Sequence, residues 1–221
     1  MKLLFQAITK LILGIVIIGL LLFLPAGTFK FSNAWLFMGL LFVPMLVAGI
    51  IMMIKSPDLL KKRLNAKEKE NEQKQVILFS GLMFLSGFII AGLNYRYNWI
   101  ILPNYIVIIS SIIFILAYIL YAEVLRENTY LSRTIEVQEN QKVIDTGLYG
   151  IVRHPMYMAT ILLFLSMPLI LGSIISFVIF LIYPFIIAKR IKNEEEVLEK
   201  GLDGYKEYKE KVKYKMIPFI W

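Results

Sequence analysis

Six long apolar stretches dominate the sequence and leave few folds open to it. A helix needs about 20 apolar residues to cross the hydrocarbon core of a bilayer, which is roughly 30 Å thick. The stretches cover residues 7–24, 33–54, 76–93, 103–122, 155–171 and 174–188. Hydrophobic residues make up 58% of the 221, far more than a soluble domain of this length needs. We therefore predict an all-α, polytopic membrane protein with about six transmembrane helices.

The last two stretches are short, and only Gly172 and Ser173 separate them. This connection predicts a helical hairpin that enters the membrane and returns to the same side. Beyond residue 189 the chain is highly charged, but apolar residues recur at helical spacing. They are Ile191, Leu198, Leu202, Tyr205, Tyr208 and Val212. The spacing predicts an amphipathic C-terminal helix that packs on a loop of the protein or lies at the lipid head groups.

Lysine and arginine are distributed very unevenly among the predicted loops. Of the 24, all but Lys30 and Arg96 lie in segments that six crossings place on one side. The positive-inside rule makes that side cytoplasmic, so both termini are predicted to be cytoplasmic. The net charge of +8 then reflects topology and attraction to anionic lipid, and no nucleic-acid partner is expected. Because further spans follow the first stretch and no small-residue cleavage site does, we do not expect a signal peptide.

The composition excludes several kinds of catalytic site. The chain has no cysteine, so it can form neither disulfides nor cysteine-ligated iron–sulfur clusters. It has one histidine, which excludes two-histidine metal sites. Neither G-x-G-x-x-G nor G-x-x-x-x-G-K-[ST] occurs. We predict no metal, and any nucleotide-like cofactor must be held without a Rossmann or P-loop fold.

Polar residues concentrate after Glu123, which suggests two functional parts. Residues 1–122 contain four spans with few polar side chains and are predicted to be a membrane scaffold. Residues 123–221 are predicted to bind a cofactor and carry catalysis. Within this second part, the β-branched alternation of residues 132–137 allows a short extended segment.

The run Arg153-His154-Pro155-Met156-Tyr157 places the one histidine at the entrance of the fifth span. Proline disfavours helical geometry in the preceding residue, so we expect His154 to be extended and Pro155 to start a helix. Free N–H groups at the start of that helix can bind a carboxylate. A lone histidine beside an arginine at a membrane interface is more often structural than chemical, so the run alone leaves its role open.

Arg190 and Glu194 are four residues apart and share one face of the helix that leaves the sixth span. A carboxylate can hold an ammonium group, and arginine offers a planar fork to a carboxylate or phosphate. The pair can equally be an ion pair that stabilises the helix by about 0.2–0.5 kcal/mol. Four tyrosines could line a site for an aromatic ring or a sulfonium, or belong to the interface belt of the membrane. They are Tyr149, Tyr157, Tyr205 and Tyr208.

Three motifs together resemble the isoprenylcysteine carboxyl methyltransferase and phospholipid methyltransferase superfamily. They are Gly147-Leu148-Tyr149, Arg153-His154-Pro155-Met156-Tyr157 and the run from Arg190 to Leu198. The resemblance covers residues 128–221. It implies methyl transfer from S-adenosyl-L-methionine to a lipid-borne acceptor. Leu148 stands where a proline is common and Met158-Ala159 where a glycine is frequent, and these departures affect the acceptor more than the cofactor.

The resemblance also implies which residues form the site. Those implied to contact the cofactor are Gln141, Lys142, Val143, Ile144, Tyr149, His154, Pro155, Met156, Tyr157 and Glu194. Arg190 is implied to face the acceptor, and Arg190 and Glu194 are the predicted catalytic residues. The predicted partners are a lipid or lipidated substrate and the bilayer, with catalysis on the cytoplasmic side. The oligomeric state stays open.

Other functions fit parts of the same pattern. A membrane reductase of the sterol type has a similar histidine–proline region but uses a nicotinamide dinucleotide. The short chain and the Glu194-Glu195 pair favour the methyltransferase. A non-enzymatic scaffold or transport protein is a third interpretation, although a transporter usually has ionisable groups deep in its spans. For a methyltransferase, the acceptor can be a prenylcysteine-like carboxylate or a lipid amine.

Overall fold

The computed structural model describes residues 2–65, 71–132, 134–135 and 137–221. The described residues form nine α-helices and one 3₁₀ helix, with no β-strand among them. The α-helices are α1 (Lys2–Ala26), α2 (Ser32–Lys55), α3 (Pro57–Leu64), α4 (Asn71–Tyr97), α5 (Asn104–Glu127), α6 (Pro155–Ile170), α7 (Ile174–Phe180), α8 (Tyr183–Gly201) and α9 (Tyr205–Lys211). The 3₁₀ helix is Gly147–Gly150. The predicted all-α class is confirmed, whereas the described part of residues 132–137 forms no strand, and Arg133 and Glu136 lie outside the described residues.

Several helices are long and apolar enough to cross a membrane. They are α1, α2, Gln73–Tyr97 of α4, α5 and the segment Ile174–Gly201, which comprises α7 and α8. The shorter apolar helix α6, with 16 residues, corresponds to the remaining predicted stretch. Large apolar side chains such as Phe5, Val43 and Ile119 lie exposed on these helices. Such a surface is unfavourable in water and suits lipid chains, so the chain is an integral membrane protein.

Buried aromatic side chains join the helices into one core. α5 packs along α6, α1 along α4, and α4 against α7. Phe37 of α2 meets Phe114 of α5 edge-on, with ring centroids 6.2 Å apart. Phe84 of α4 meets Phe180 of α7 in the same way at 5.4 Å. Full burial of one such side chain contributes about 1.5–3 kcal/mol, so this core holds the last helices firmly against the first four spans.

The hairpin between α6 and α7 turns at Gly172 and Ser173, as their short connection predicts. Gly172 has a φ of 76°, in the left-handed region that glycine adopts without steric cost. Ser173 then caps α7 by accepting a hydrogen bond from Ser176 N at 3.2 Å. α7 ends at Phe180 because the ring of Pro184 conflicts with the carbonyl group of the residue four positions earlier. The last span is therefore interrupted, and α8 carries it on to Gly201.

The C-terminal segment forms two helices where its spacing predicts one. α8 ends at Gly201, and Gly204 has a φ of 80° before α9 begins. Most of the apolar residues of the pattern still lie together, whereas Ile191 belongs to the main core. Leu202, Tyr205, Tyr208 and Val212 form one buried cluster. Val137 and Val143 pack against this cluster, so the apolar face covers a loop of the protein.

The loops meet at two opposite ends of the helix array. At one end, Gln73 of α4 donates a hydrogen bond to Asn193 of α8 at 2.7 Å. At the other end of α4, Tyr95 OH donates to Lys30 O at 3.1 Å. A rise of about 1.5 Å per residue separates these contacts by roughly 30 Å. The end with Gln73 also collects the polar segment 128–154 and is called the basic end below, after the lysine and arginine residues of its loops.

Candidate active site

A cavity lies at the basic end, where the segment 128–144 and the 3₁₀ helix meet parts of α6, α8 and α9. Its empty volume is about 840 Å³, including the open space at its mouth. Polar and aromatic side chains line this cavity.

The structure brings almost all of the residues implied by the resemblance together around this cavity. Those that line it are Gln141, Lys142, Val143, Ile144, Tyr149, His154, Met156, Tyr157, Arg190 and Glu194. Pro155 is buried and does not line the cavity, since it forms the first turn of α6. Its contribution is to begin the helix that presents Met156 and Tyr157 to the cavity.

The entrance of α6 is held against the C-terminal segment. Arg153 N donates to Tyr214 O at 3.0 Å, and His154 N donates to Lys215 O at 2.7 Å. The side chain of Arg153 adds a further bond, from Nη1 to Val212 O at 2.6 Å. These bonds fix the position of His154 at the start of α6, and they hold the C-terminal segment beside the site.

Arg153 and His154 both reach Glu195 of α8, and all three side chains are buried. Arg153 Nε donates to Glu195 Oε1 at 2.8 Å, and His154 Nε2 lies 3.1 Å from the same oxygen. Because an ionised carboxylate only accepts hydrogen bonds, Nε2 carries a proton. Removing one partner of such a buried pair costs about 3–5 kcal/mol. This network holds α6, α8 and the C-terminal segment in one arrangement.

Arg190 and Glu194 meet through the hydroxyl group of Tyr157. Arg190 Nε donates to Tyr157 OH at 2.8 Å, and this hydroxyl donates to Glu194 Oε2. Arg190 Nη1 also donates to Gln73 Oε1 at 2.9 Å. The two residues thus belong to a hydrogen-bond network that links α4, α6 and α8. This network orients the guanidinium group of Arg190 and the carboxylate group of Glu194 at the cavity wall.

Tyrosine hydroxyl groups are a second feature of the cavity. Tyr208 OH donates to Tyr149 O at 2.8 Å, and Tyr149 OH accepts from Asn128 Nδ2 at 3.1 Å. The hydroxyl of Tyr205 is buried and has no hydrogen-bond partner among the described residues. Burial raises the pKa of Tyr149, Tyr205 and Tyr208 well above the usual value for tyrosine. All three stay protonated at neutral pH and can donate hydrogen bonds.

Several residues that shape the site escape prediction from the sequence. Gln73 lies in the half that is predicted to be scaffold, and no motif connects it with Arg190. Arg153 and Glu195 lie inside the quoted motifs, but the motifs do not reveal that they bind each other. Described residues between 128 and 135 contribute to the cavity wall without any recognisable pattern. Tyr205 and Tyr208 are among the four tyrosines that the sequence offers either as lining a site or as belonging to the interface belt, and all four line the cavity.

The cavity offers groups for binding and orientation. Glu194 supplies an anion, Arg190 a planar cation, and the tyrosines supply aromatic faces and hydroxyl donors. Across the part of the chain that the structure describes, no three His, Asp or Glu side chains are grouped so that they could hold a metal ion. Such a wall suits a ligand that carries both an ammonium group and an aromatic ring.

The sequence was compared with known proteins and with models of protein families. No curated protein matches the chain. The sequence model of the isoprenylcysteine carboxyl methyltransferase (ICMT) family matches residues 110–200, from within α5 almost to the end of α8. All three motifs that carry the resemblance lie inside the match. The match confirms the resemblance to the isoprenylcysteine carboxyl methyltransferase superfamily that the motifs predict, and it suggests membrane methyltransferase activity.

Proposed function

We propose that this protein transfers a methyl group from S-adenosyl-L-methionine to a membrane-borne acceptor at the cytoplasmic face. The observation that carries the proposal is the set of hydrogen bonds that joins Arg190, Tyr157 and Glu194 at the wall of one cavity. The match to the ICMT family supports the reaction type. The position of the cavity at the basic end supports the cytoplasmic side, because basic loops stay on that side of a membrane.

The chemistry of the cavity fits S-adenosyl-L-methionine. The Glu194 carboxylate would hold the ammonium group of its amino-acid part, and Tyr149 and Tyr157 would offer aromatic faces. The segment Gln141–Ile144 would add contacts beside them. When bound, this cofactor supplies an electrophilic methyl group on a positively charged sulfur.

The residues of the site act by alignment and by exclusion of water. Transfer of a methyl group to a nucleophile by displacement depends on geometry more than on proton transfer. Arg190 would hold an acceptor through a carboxylate or phosphate group, because its guanidinium is planar and already oriented by Tyr157 and Gln73. The buried Arg153–His154–Glu195 network would keep this alignment rigid.

Binding measurements on the purified protein test the cofactor. We expect isothermal titration calorimetry to detect S-adenosylmethionine and S-adenosylhomocysteine, and to detect no binding of NADH or NADPH. Binding of a nicotinamide dinucleotide without an S-adenosyl compound would favour the membrane reductase instead. If neither the S-adenosyl compounds nor the nicotinamide dinucleotides bind, the proposed methyltransferase function is rejected.

The acceptor can be a carboxylate or an amine, and the two differ in their response to pH. A carboxylate with a pKa near 4 is already nucleophilic at neutral pH, whereas a lipid ammonium must first lose a proton. Membranes incubated with radiolabelled S-adenosylmethionine should incorporate label at a rate that rises between about pH 6 and 9 for an amine and stays nearly constant for a carboxylate. A base-labile product identifies an ester, a stable methylamine identifies an amine, and failure to label any lipid or lipidated protein contradicts the proposal.

A further inference from the structure

Tyr205 is fixed at the cavity by its surroundings. It begins α9 directly after the left-handed turn at Gly204. Its ring lies in the buried cluster with Leu202, Tyr208 and Val212, and the centroids of the two tyrosine rings are 5.8 Å apart. Only 4% of Tyr205 is exposed. The side chain cannot turn outwards without exposing this cluster, so its hydroxyl group stays buried beside the cavity.

The hydroxyl group of Tyr205 differs from the others around the cavity. It is the one buried side-chain nitrogen or oxygen atom that lacks a hydrogen-bond partner in the described ranges. Tyr208, one turn further along α9, instead donates to Tyr149 O at 2.8 Å. Buried polar groups in folded proteins nearly always have a partner, and an exception needs an explanation. A ligand in the adjacent cavity would supply one.

The neighbouring carboxylates bond other donors. The Glu195 carboxylate accepts hydrogen bonds from Arg153 and His154, and the Glu194 carboxylate accepts one from Tyr157. Burial and then these two carboxylates raise the pKa of the Tyr205 hydroxyl, which keeps its proton. Tyr205 therefore offers a donor for which the described part of the protein provides no acceptor.

We propose that the Tyr205 hydroxyl binds the methyl donor by donating a hydrogen bond to an acceptor atom of the S-adenosyl compound in the cavity. The inference rests on the proposed function, and it adds a cofactor contact from the C-terminal helix α9, which lies beyond the stretch matched by the family. The ligand would complete the hydrogen bonding of the site.

The variants Tyr205→Phe and Tyr208→Phe separate this role from a structural one. Both remove one buried hydroxyl from neighbouring positions of α9. The thermal midpoint of each full-length protein without ligand and its Kd for S-adenosylhomocysteine are measured in the same detergent. We expect Tyr205→Phe to keep or raise the midpoint, because no hydrogen bond is lost, and to raise Kd roughly three- to tenfold. We expect Tyr208→Phe to lower the midpoint, because the Tyr149 carbonyl loses its partner.

Two results would overturn the role of Tyr205. The first is an unchanged Kd in Tyr205→Phe while the parent protein binds S-adenosylhomocysteine. The second is a lowered midpoint of the ligand-free variant, similar to that of Tyr208→Phe, because the hydroxyl would then have a partner without ligand. A parent protein that binds no S-adenosylhomocysteine would reject the proposed function itself and this inference with it.

Discussion

Glu194 and Glu195 are adjacent in the sequence but have different surroundings. Glu195 is buried and accepts hydrogen bonds from Arg153 and His154. Glu194 is half-buried, lines the cavity and accepts a hydrogen bond from Tyr157. A rotation of about 100° per helical residue explains why neighbours face different partners. We infer that Glu195 maintains the structure, whereas Glu194 is available to a ligand.

Replacement of Glu194 by glutamine tests this division of roles. Glutamine keeps an oxygen that accepts the hydrogen bond of Tyr157, but it loses the negative charge that would hold an ammonium group. We expect Glu194→Gln to fold normally and to weaken binding of S-adenosylmethionine by about 1–3 kcal/mol in calorimetric titration. Glu196→Gln makes the same change at an exposed position of α8 and should bind like the parent. Equal affinities of the two variants would mean that Glu194 only pairs with its neighbours.

The motifs predict the residues around the cavity better than the bonds among them. Ten residues implied by the resemblance line one cavity, although they come from separate parts of residues 141–194. The interaction of Arg190 with Gln73 joins residues 117 positions apart, and local spacing contains no information about such a pair. Periodicity places Tyr205 on an apolar face but does not reveal that its hydroxyl lacks a partner. Those features depend on tertiary packing.

At the scale of helices, the first four spans do more than provide a scaffold. Gln73 of α4 is fully buried and bonds both Arg190 and Asn193 of α8. Arg63 of α3 donates to Ser132 O at 3.3 Å and so holds the segment that forms part of the cavity wall. The predicted division at residue 123 follows where the motifs lie in the sequence, and residues on both sides of it contact those that line the cavity.

Contact between α4 and α7 provides a test of helix packing. A methyl group at Gly87 would collide with the buried ring of Phe180, whereas one at Gly81 of the same helix has open space within 4 Å. We expect Gly87→Ala to lower stability by about 1–3 kcal/mol through overpacking. Gly81→Ala should keep or raise it, since alanine favours helix by about 0.8–1 kcal/mol. Thermal unfolding in detergent measures both, and equal midpoints would contradict the close packing of α4 on α7.

Helix existence was easier to predict than helix ends. Each of the six apolar stretches forms helix, but α8 extends 13 residues beyond the predicted limit of the last stretch at residue 188. Hydropathy identifies only the apolar part of a helix, so it does not predict the charged turns that continue the helix. The break before α9 has a local cause, since Leu202 is extended after the end of α8 and Gly204 takes a left-handed conformation at the start of α9.

At the scale of the whole molecule, charge and site lie at the same end. The basic end contains the cavity and most of the described lysine and arginine residues, whereas Lys30 and Arg96 lie at the opposite end. A water-soluble cofactor would reach the cavity from this side, and an apolar acceptor would arrive through the bilayer. The proposed function therefore requires the basic end to face the cytoplasm.

Single cysteines can test this orientation without background, because the natural sequence contains none. Asp58→Cys and Glu210→Cys place exposed thiols at the basic end, and Phe29→Cys places one at the opposite end. In intact cells, we expect a membrane-impermeant maleimide to label only Phe29→Cys, since the positive-inside rule keeps the basic loops within the cell. All three should react once the membrane is permeabilised. Labelling of Asp58→Cys or Glu210→Cys in intact cells would reverse the orientation and contradict catalysis at the cytoplasmic face.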